Sequence, residues 1–267
     1  MGIRRNFAWL FRSVAIGAAV LAVTAAAAAD YPTKKKAPPA PAPVVVAPVA
    51  PGFFVKAGFL YAINQSSSKL YAGGVQIPGV GATFSDVATL GIESGYYVTP
   101  NVSVDVSAGV PMWVTDKTKG ATAVGPLPSP PFPATFLPVP DGTLIAKVMP
   151  AFVPVTVLYH FTQFGAFQPY LGAGFAPVFA LAHRDEFNTG VTVDPTIGLV
   201  LQAGADVMID QHWGWSVDVK KLFADVTSHA TGDNLALIGV PAAIAVPGEQ
   251  KTNFQPWILS TGVTYRF

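Results

Sequence analysis

Apolar and polar side chains alternate with a period of two residues from Phe53 to the C-terminus. This alternation predicts β-strands, because successive side chains of a strand point to opposite faces of a sheet. In the first segment, for example, Phe53, Phe59 and Tyr61 share one face and Lys56 lies on the other. The pattern predicts eight strands, at about 53–63, 87–98, 102–114, 143–161, 169–182, 196–209, 213–226 and 254–267.

The connections between these strands alternate between long and short. Bacterial outer-membrane barrels show the same asymmetry, with short turns in the periplasm and longer loops outside the cell. We therefore expect both ends of the strand region to lie in the periplasm. The expected turns are 99–101, 162–168 and 210–212, and the expected loops are 64–86, 115–142, 183–195 and 227–253.

The composition favours a membrane protein without spanning helices. Hydrophobic residues make up 51% of the chain and charged residues 12%, about half the charged share of a typical soluble domain. A spanning helix needs roughly 20 consecutive apolar residues, and 14–29 is the stretch that comes nearest. The expected fold is therefore all-β: an eight-stranded antiparallel transmembrane β-barrel in the outer membrane of a Gram-negative bacterium, surrounded by outer-membrane lipid.

Charged side chains fall on the strand face opposite the apolar one. A Lys or Arg facing lipid near the bilayer centre costs about 2–4 kcal/mol, so this face should line the lumen. A soluble β-sandwich is the alternative, but its solvated face should carry more charge than the Gly, Ser and Ala found here. Lys147 and His160 have opposite parity, so we expect a bulge around Met149–Pro154. The predicted inward charges are Lys56, Glu93, Asp105, Asp206, Asp218, Lys220 and Arg266.

Two zones are expected in the lumen, which side chains can nearly fill in a barrel of this size. Most of the inward charges lie toward the periplasmic ends of their strands and should form a plug of ion pairs and hydrogen bonds. Toward the outer ends the inward residues are apolar, and they either bind a small apolar guest or simply pack the barrel. These upper-lumen residues are Leu60, Val87, Val178, Val200, Leu222 and Ile258.

Four tryptophans are expected to form an aromatic girdle. Transmembrane barrels carry aromatic residues at both membrane interfaces. The tryptophans at or near predicted strand ends are Trp113, Trp213, Trp215 and Trp257.

The N-terminal region predicts export. Residues 1–29 resemble a cleaved signal peptide, with early arginines, an apolar stretch and an Ala-rich end; an uncleaved anchor helix is the alternative. Residues 30–52 form a Pro-, Ala- and Lys-rich periplasmic linker, either a flexible spacer or a tether. Residues 53–267 are the expected barrel.

Several function classes find no support in the sequence. A formal net charge of +1 argues against nucleic-acid binding. The absence of cysteine excludes disulfides and thiolate zinc sites. The four histidines are dispersed, and no Gly-x-Ser-x-Gly nucleophile motif occurs. We expect no enzyme activity, no metal site and no cofactor.

The C-terminal sequence Gln255-Pro256-Trp257-Ile258, ending in Tyr265-Arg266-Phe267, resembles that of the OmpW family of small outer-membrane barrels. The runs 158–161, 168–174 and 214–221 also resemble its central and seventh strands, so the resemblance spans about 53–267. It implies passage of small hydrophobic molecules from outside, with lateral release toward the membrane. The residues Val263, Tyr265 and Phe267 resemble the signal read by the barrel-assembly machinery.

Two functions are therefore open. The first is a barrel that passively admits small hydrophobic molecules through an apolar upper lumen above a charged periplasmic plug. The second is a structural or surface-interaction barrel with a closed lumen and no transport. The sequence does not determine the oligomeric state.

Overall fold

The computed structural model describes residues 52–72, 74–76, 79–120, 122–124, 137–234, 243–244 and 247–267. In this part of the chain, no helix has the length and apolar character needed to cross a membrane. The predicted signal peptide (1–29) and nearly all of the predicted linker (30–52) lie outside the described residues.

Twenty strands make up the described fold, together with one 3-10 turn at Thr162–Phe164. The first ten are β1 (Phe53–Ile63), β2 (Ser66–Ala72), β3 (Val75–Gln76), β4 (Gly81–Phe84), β5 (Val87–Thr99), β6 (Val102–Gly109), β7 (Val114–Lys119), β8 (Thr122–Val124), β9 (Leu137–Val139) and β10 (Leu144–Phe152). The others are β11 (Val155–His160), β12 (Phe167–Asp185), β13 (Asn188–Thr189), β14 (Thr192–Val193), β15 (Thr196–Met208), β16 (Trp213–Ala230), β17 (Gly232–Asn234), β18 (Ala243–Ile244), β19 (Gly248–Phe254) and β20 (Trp257–Arg266).

Eight of these strands close into an antiparallel barrel. Its wall runs in the order β1, β5, β6, β11, β12, β15, β16 and β20, and every neighbouring pair is antiparallel. The ring closes where β20 pairs with β1, from Phe54 opposite Arg266 to Ile63 opposite Trp257. The predicted eight-stranded barrel is confirmed.

An apolar belt covers the outside of the barrel. Large hydrophobic side chains are exposed on every barrel strand, as a lipid-facing surface requires. Members of this belt include Phe59, Ile92, Val106, Val157, Phe175, Leu199, Val217 and Val263. Short connections join the strands at one end, which we call the periplasmic end.

The wall continues beyond the belt at the opposite, extracellular end. There β19 pairs with the upper part of β16 and with β2, while β7 pairs with β4 and β10. We call this region the extension. The prediction that 64–86, 115–142, 183–195 and 227–253 are loops is therefore wrong in part. These strands lack an apolar lipid-facing side, so their alternation is not visible as hydrophobic periodicity.

The wall is interrupted between the third and fourth barrel strands. The ladder of β6 with β11 ends at Val106 opposite Val155, and the next pair toward the extension is Val114 opposite Val148. Between them, 108–113 and 149–153 form no ladder pair with each other in the described structure; we call this the lateral break. The register of β10 on β12 shifts between Met149 and Pro150, so the expected bulge is confirmed.

Small residues on the inward face make room for large side chains in the narrow lumen. A Cβ atom on Gly95 would lie 2.4 Å from the Phe54 ring and 2.6 Å from the carboxylate of Asp105. A Cβ atom on Gly204 would lie 2.5 Å from the hydroxyl of Tyr170. Glycine at these positions allows aromatic and charged groups to fill the base of the barrel.

Candidate functional site

Six charged side chains form one continuous ion-pair network across the base of the lumen. Lys220 Nζ lies 2.7 Å from Glu93 and 2.6 Å from Asp218. Lys56 Nζ lies 3.4 Å from Glu93 and 3.3 Å from Asp206, and Arg266 donates to Asp206 at 3.1 Å. All six are buried. With three carboxylates and three cations, their formal charges balance.

Asp105 belongs to the same region but forms no ion pair with any of the described residues. Ser103 donates to Asp105 Oδ1 at 2.5 Å, and Oδ2 accepts no hydrogen bond within the described residues. The structure thus places all seven sequence-predicted lumen charges together and joins six of them by ion pairs. Parity alone could not assign these partners.

Several uncharged polar residues complete the network, although the sequence analysis did not single them out. Gln202 donates to Asp218 at 2.8 Å and to Glu93 at 3.3 Å, and accepts from Thr156 at 2.7 Å. The hydroxyl of Tyr170 donates to Asp218 at 3.1 Å. Each of these residues lies on the inward face of its strand, and the alternation of side chains along the strand is the sequence signal that could have identified it. These bonds fix the carboxylates in a space filled by protein groups.

Ser103, His160 and Asp105 also lie close together, as in some hydrolases. The geometry differs from a catalytic triad, however, because Ser103 Oγ contacts both His160 Nε2, at 3.0 Å, and Asp105. The other ring nitrogen of His160 lies 3.4 Å from the hydroxyl of Tyr97. All three residues are almost fully buried. The cluster therefore forms part of the polar base of the barrel.

Above the network, the inward side chains become apolar. Along β16 the inward positions pass from Asp218 and Lys220 to Leu222 and Ala224, and then to Val226. Leu222 and Ala224 pack with Ala176, Val178 and Val200 in one buried cluster, which we call the apolar cluster. Val200 and Leu222 are fully buried there. The cluster therefore lies in the lumen above the network, on the inner face of β12, β15 and β16.

A cavity with a volume of about 150 Å³ lies within the extension, and we call it the upper cavity. Its walls come from β2, β4, β7, β10, β12, β13, β14, β16 and β19. Most of the lining side chains are apolar, and they include Leu70, Val80, Phe84, Val114, Ile145, Ala146, Val148, Phe187, Val191 and Val226.

A second cavity of about 50 Å³, the lower cavity, lies beside the network. Lys56, Glu93 and Lys220 line it, together with Leu60 and Ile258. Its wall also contains Ala108, Phe152 and Pro154, which lie at or beside the lateral break. This cavity thus connects the charged base with the interrupted part of the wall.

The six predicted upper-lumen residues are divided among these places. Val178 lines the upper cavity and belongs to the apolar cluster, with Val200 and Leu222. Leu60 and Ile258 line the lower cavity, while Val87 is half-buried opposite Ala62. The upper cavity lies higher than the sequence predicts, because the wall extends through segments that lack a lipid-facing pattern.

The predicted girdle tryptophans lie on the outside at both ends. Trp213 and Trp215 are half-exposed near the periplasmic end, where the Trp213 ring contacts Tyr265 at 4.7 Å between ring centroids. At the other end, Lys221 lies over Trp257 at 4.8 Å and Arg184 lies over Trp113 at 4.4 Å. Cations and indoles at one level are typical of a membrane interface.

The C-terminal residues of the predicted assembly signal lie on the outer face of β20 or just beyond it. Val263 and Phe267 are exposed, and Tyr265 contacts the ring of Phe267 at 4.9 Å. The amide of Phe267 donates to Phe53 at 2.9 Å, which ties the chain end to the first strand.

A closed antiparallel cylinder with an apolar outer belt and a polar, ion-paired base defines an outer-membrane β-barrel protein. A model of the OmpW family matches residues 50–267. The chain therefore belongs to the OmpW family, as its C-terminal sequence suggests.

Two relatives of this chain align with much of its length. It is 31% identical over 268 residues to an uncharacterized outer-membrane protein, y4mB of Sinorhizobium fredii, with 99% of each chain covered. It is 27% identical over 159 residues to the dibenzothiophene metabolism operon protein PahQ of Pseudomonas aeruginosa, covering 60% and 67% of the two chains.

The crystal structure of the outer membrane protein OprG from Pseudomonas aeruginosa superposes with a TM-score of 0.67 and 20% identity. The match covers 82% of this chain and 96% of OprG. This similarity shows a shared fold.

Proposed function

We propose that this barrel passively admits small hydrophobic molecules from outside the cell into the upper cavity. The observation that carries the proposal is the vertical order of the lumen. An apolar cavity in the extension lies over the apolar cluster, and the ion-pair network lies below both. An apolar guest gains free energy in proportion to the apolar surface it buries. Below the cluster it would have to displace paired charges, so the network acts as a plug.

The lateral break supports an exit through the wall instead of through the base. Pro150 lines the upper cavity and Pro154 lines the lower one. Both lack an amide hydrogen, so neither can donate to a ladder. A strand edge without ladder bonds separates more easily than a paired one. A guest that passes here would enter the hydrocarbon layer directly.

The name of PahQ supports the chemical class. That protein is assigned to a dibenzothiophene metabolism operon, and dibenzothiophene is a fused aromatic molecule with no hydrogen-bond donor. Guests of this class fit an apolar cavity better than ions or sugars.

The test is to fill the upper cavity. Ala146 lines it and is 3% exposed, so Ala146→Phe should occupy the space. Lys147→Phe is the matched control, because the next side chain lies outside the cavity lining and pairs with Glu186. The measurement is the rate at which N-phenyl-1-naphthylamine fluorescence rises when the dye is added to intact cells expressing each variant.

We expect Ala146→Phe to slow dye entry several-fold and Lys147→Phe to leave it near the wild-type rate, with equal amounts of folded barrel in the outer membrane. If cells with and without the wild-type protein take up dye at the same rate, the barrel does not transport this class. The structural or surface-interaction function would then be the better interpretation.

A further inference from the structure

The upper cavity contains a polar strip in an otherwise largely apolar wall. On β7 the inward residues are Val114, Asp116 and Thr118, and on β19 they include Gln250 and Thr252. These two strands are not paired with each other in the sheet. Gln250 nevertheless donates to Asp116 Oδ2 at 2.9 Å, so the contact crosses the interior of the extension.

Asp116 is a buried carboxyl group with an unused acceptor. It lines the cavity and is 5% exposed. Within the described residues, its Oδ1 atom accepts no hydrogen bond. A buried acceptor without a donor loses its hydration and gains nothing in return. A donor that entered the cavity would therefore be bound here in preference to an apolar group of the same size.

Other ionisable groups that line the cavity have partners elsewhere. Glu249 pairs with Lys251 at 3.0 Å, and His229 lies 3.1 Å from Asp194. Tyr71 lies under the ammonium group of Lys251, at 5.2 Å. Asp116, by contrast, contacts an amide of Gln250 and has no ion pair within the described residues. Its unused oxygen is thus available to a guest.

We propose that Asp116, held by Gln250, selects small apolar molecules that carry one hydroxyl or N–H donor over molecules of the same shape without a donor. This inference rests on the proposed function, because it assigns a preferred guest class to the same cavity. The apolar wall would bind the body of the guest, and the carboxylate would accept its single donor.

The environment of Asp116 is consistent with a strong response to such a donor. Burial raises the pKa of Asp116 to about 7, and the hydrogen bond from Gln250 acts in the opposite direction. The group lies beyond the apolar belt, in the extension. A carboxylate that is costly to hold in this site gains most when a guest donates to it.

The experiment compares 1-naphthol with 1-methylnaphthalene, which differ by a hydroxyl in place of a methyl group. Full-length protein in lipid nanodiscs is dialysed to equilibrium against each compound at pH 8, and partition into empty nanodiscs is subtracted. We expect the wild type to bind 1-naphthol about ten-fold more tightly than 1-methylnaphthalene. Asp116→Leu should retain binding of 1-methylnaphthalene and bring the ratio of the two affinities to one or below, because the buried hydroxyl of 1-naphthol then has no acceptor.

Two further variants keep the test informative. Lys117→Leu changes the next, exposed side chain of β7 and should keep the wild-type ratio. Asp116→Asn conserves the shape of the side chain, so it serves if Asp116→Leu does not fold. The amide oxygen of the asparagine can accept from Gln250, while its amide nitrogen takes the position of Asp116 Oδ1. The guest then meets an N–H donor instead of a carboxylate oxygen, so the ratio of the 1-naphthol to the 1-methylnaphthalene affinity should fall.

The outcomes separate the two proposals. Equal binding of both compounds by the wild type, or an unchanged ratio in both Asp116 variants, overturns the role of Asp116 and leaves the proposed function standing. Saturable binding of neither compound overturns both.

Discussion

Lys220 and Lys221 are neighbours in the chain, yet they meet opposite environments. The ammonium group of Lys220 is buried between Glu93 and Asp218, at 2.7 and 2.6 Å. That of Lys221 reaches the carbonyl of Gln255 at 2.6 Å, at the level of Trp257 on the outside. Because side chains of a strand alternate between faces, adjacent lysines can serve as part of the base and part of the membrane interface.

This contrast provides a matched pair of substitutions. Lys220→Met would leave two carboxylates without their shared cation, and breaking a buried ion pair costs about 3–5 kcal/mol. Lys221→Met removes an exterior contact and should cost less than about 1 kcal/mol. Urea unfolding in lipid vesicles measures both. Equal losses would show that the base network contributes no more to stability than an interfacial lysine.

Asp116 gives a pH-dependent prediction at the same scale. Its pKa in the folded protein is about 7, raised from 3.8 by burial. The folded state therefore binds a proton that the unfolded state has lost, so stability falls as the pH rises from about 4 through 7. Asp116→Asn cannot titrate at this position. The difference in free energy of unfolding between this variant and the wild type should therefore shift in favour of the variant across this window, by at most about 4 kcal/mol.

Amide hydrogen exchange of β7 and β10, compared between the two proteins at pH 5 and at pH 8, measures the effect locally. The other titratable groups lining the cavity, Tyr71, His229 and Glu249, are the same in both proteins. A stability difference of the same size at both pH values would contradict the prediction that Asp116 is buried without an ion-pair partner.

Among the elements, the strands that touch lipid could be predicted and those of the extension could not. The predicted first strand has the observed limits, 53–63, because its outer face is continuously apolar. By contrast, β2 begins Ser66-Ser67-Ser68-Lys69 and carries little hydrophobic signal, so the sequence predicts a loop there. The upper cavity, and with it Asp116 and Gln250, is built from such strands. The ion-paired base could be anticipated from parity, although its pairings depend on register and rotamers.

The break between β6 and β10 leads to a prediction about this element. Pro150→Ala and Pro154→Ala together restore two amide hydrogens at the lateral break, which allows further bonds across the wall. If guests leave there, the double variant should slow N-phenyl-1-naphthylamine entry several-fold. Pro100→Ala, in a short periplasmic turn, is the control and should have no effect. An unchanged rate in the double variant would argue against lateral release at this position.

For the whole molecule, a lumen filled from the base to the apolar cluster should conduct ions poorly. In planar lipid bilayers, we expect the wild type to lack the large steady currents of water-filled porins. Replacing Lys56, Asp206 and Arg266 together with serine removes linked charges and bulky side chains, so it should increase ion conductance. A porin-like current through the wild-type barrel would refute the plug.

The network also joins distant parts of the chain. Lys56 lies on the first strand and Arg266 on the last, and both contact Asp206 on β15. Arg266 and Asp206 lie on the same side of the β20–β1 seam, whereas the Lys56–Asp206 and Lys220–Glu93 pairs cross it. These two pairs can form only after the first and last strands of the cylinder have met. Seam closure therefore completes the charge network during biogenesis, and a strand that docks out of register leaves the cross-seam pairs unmade.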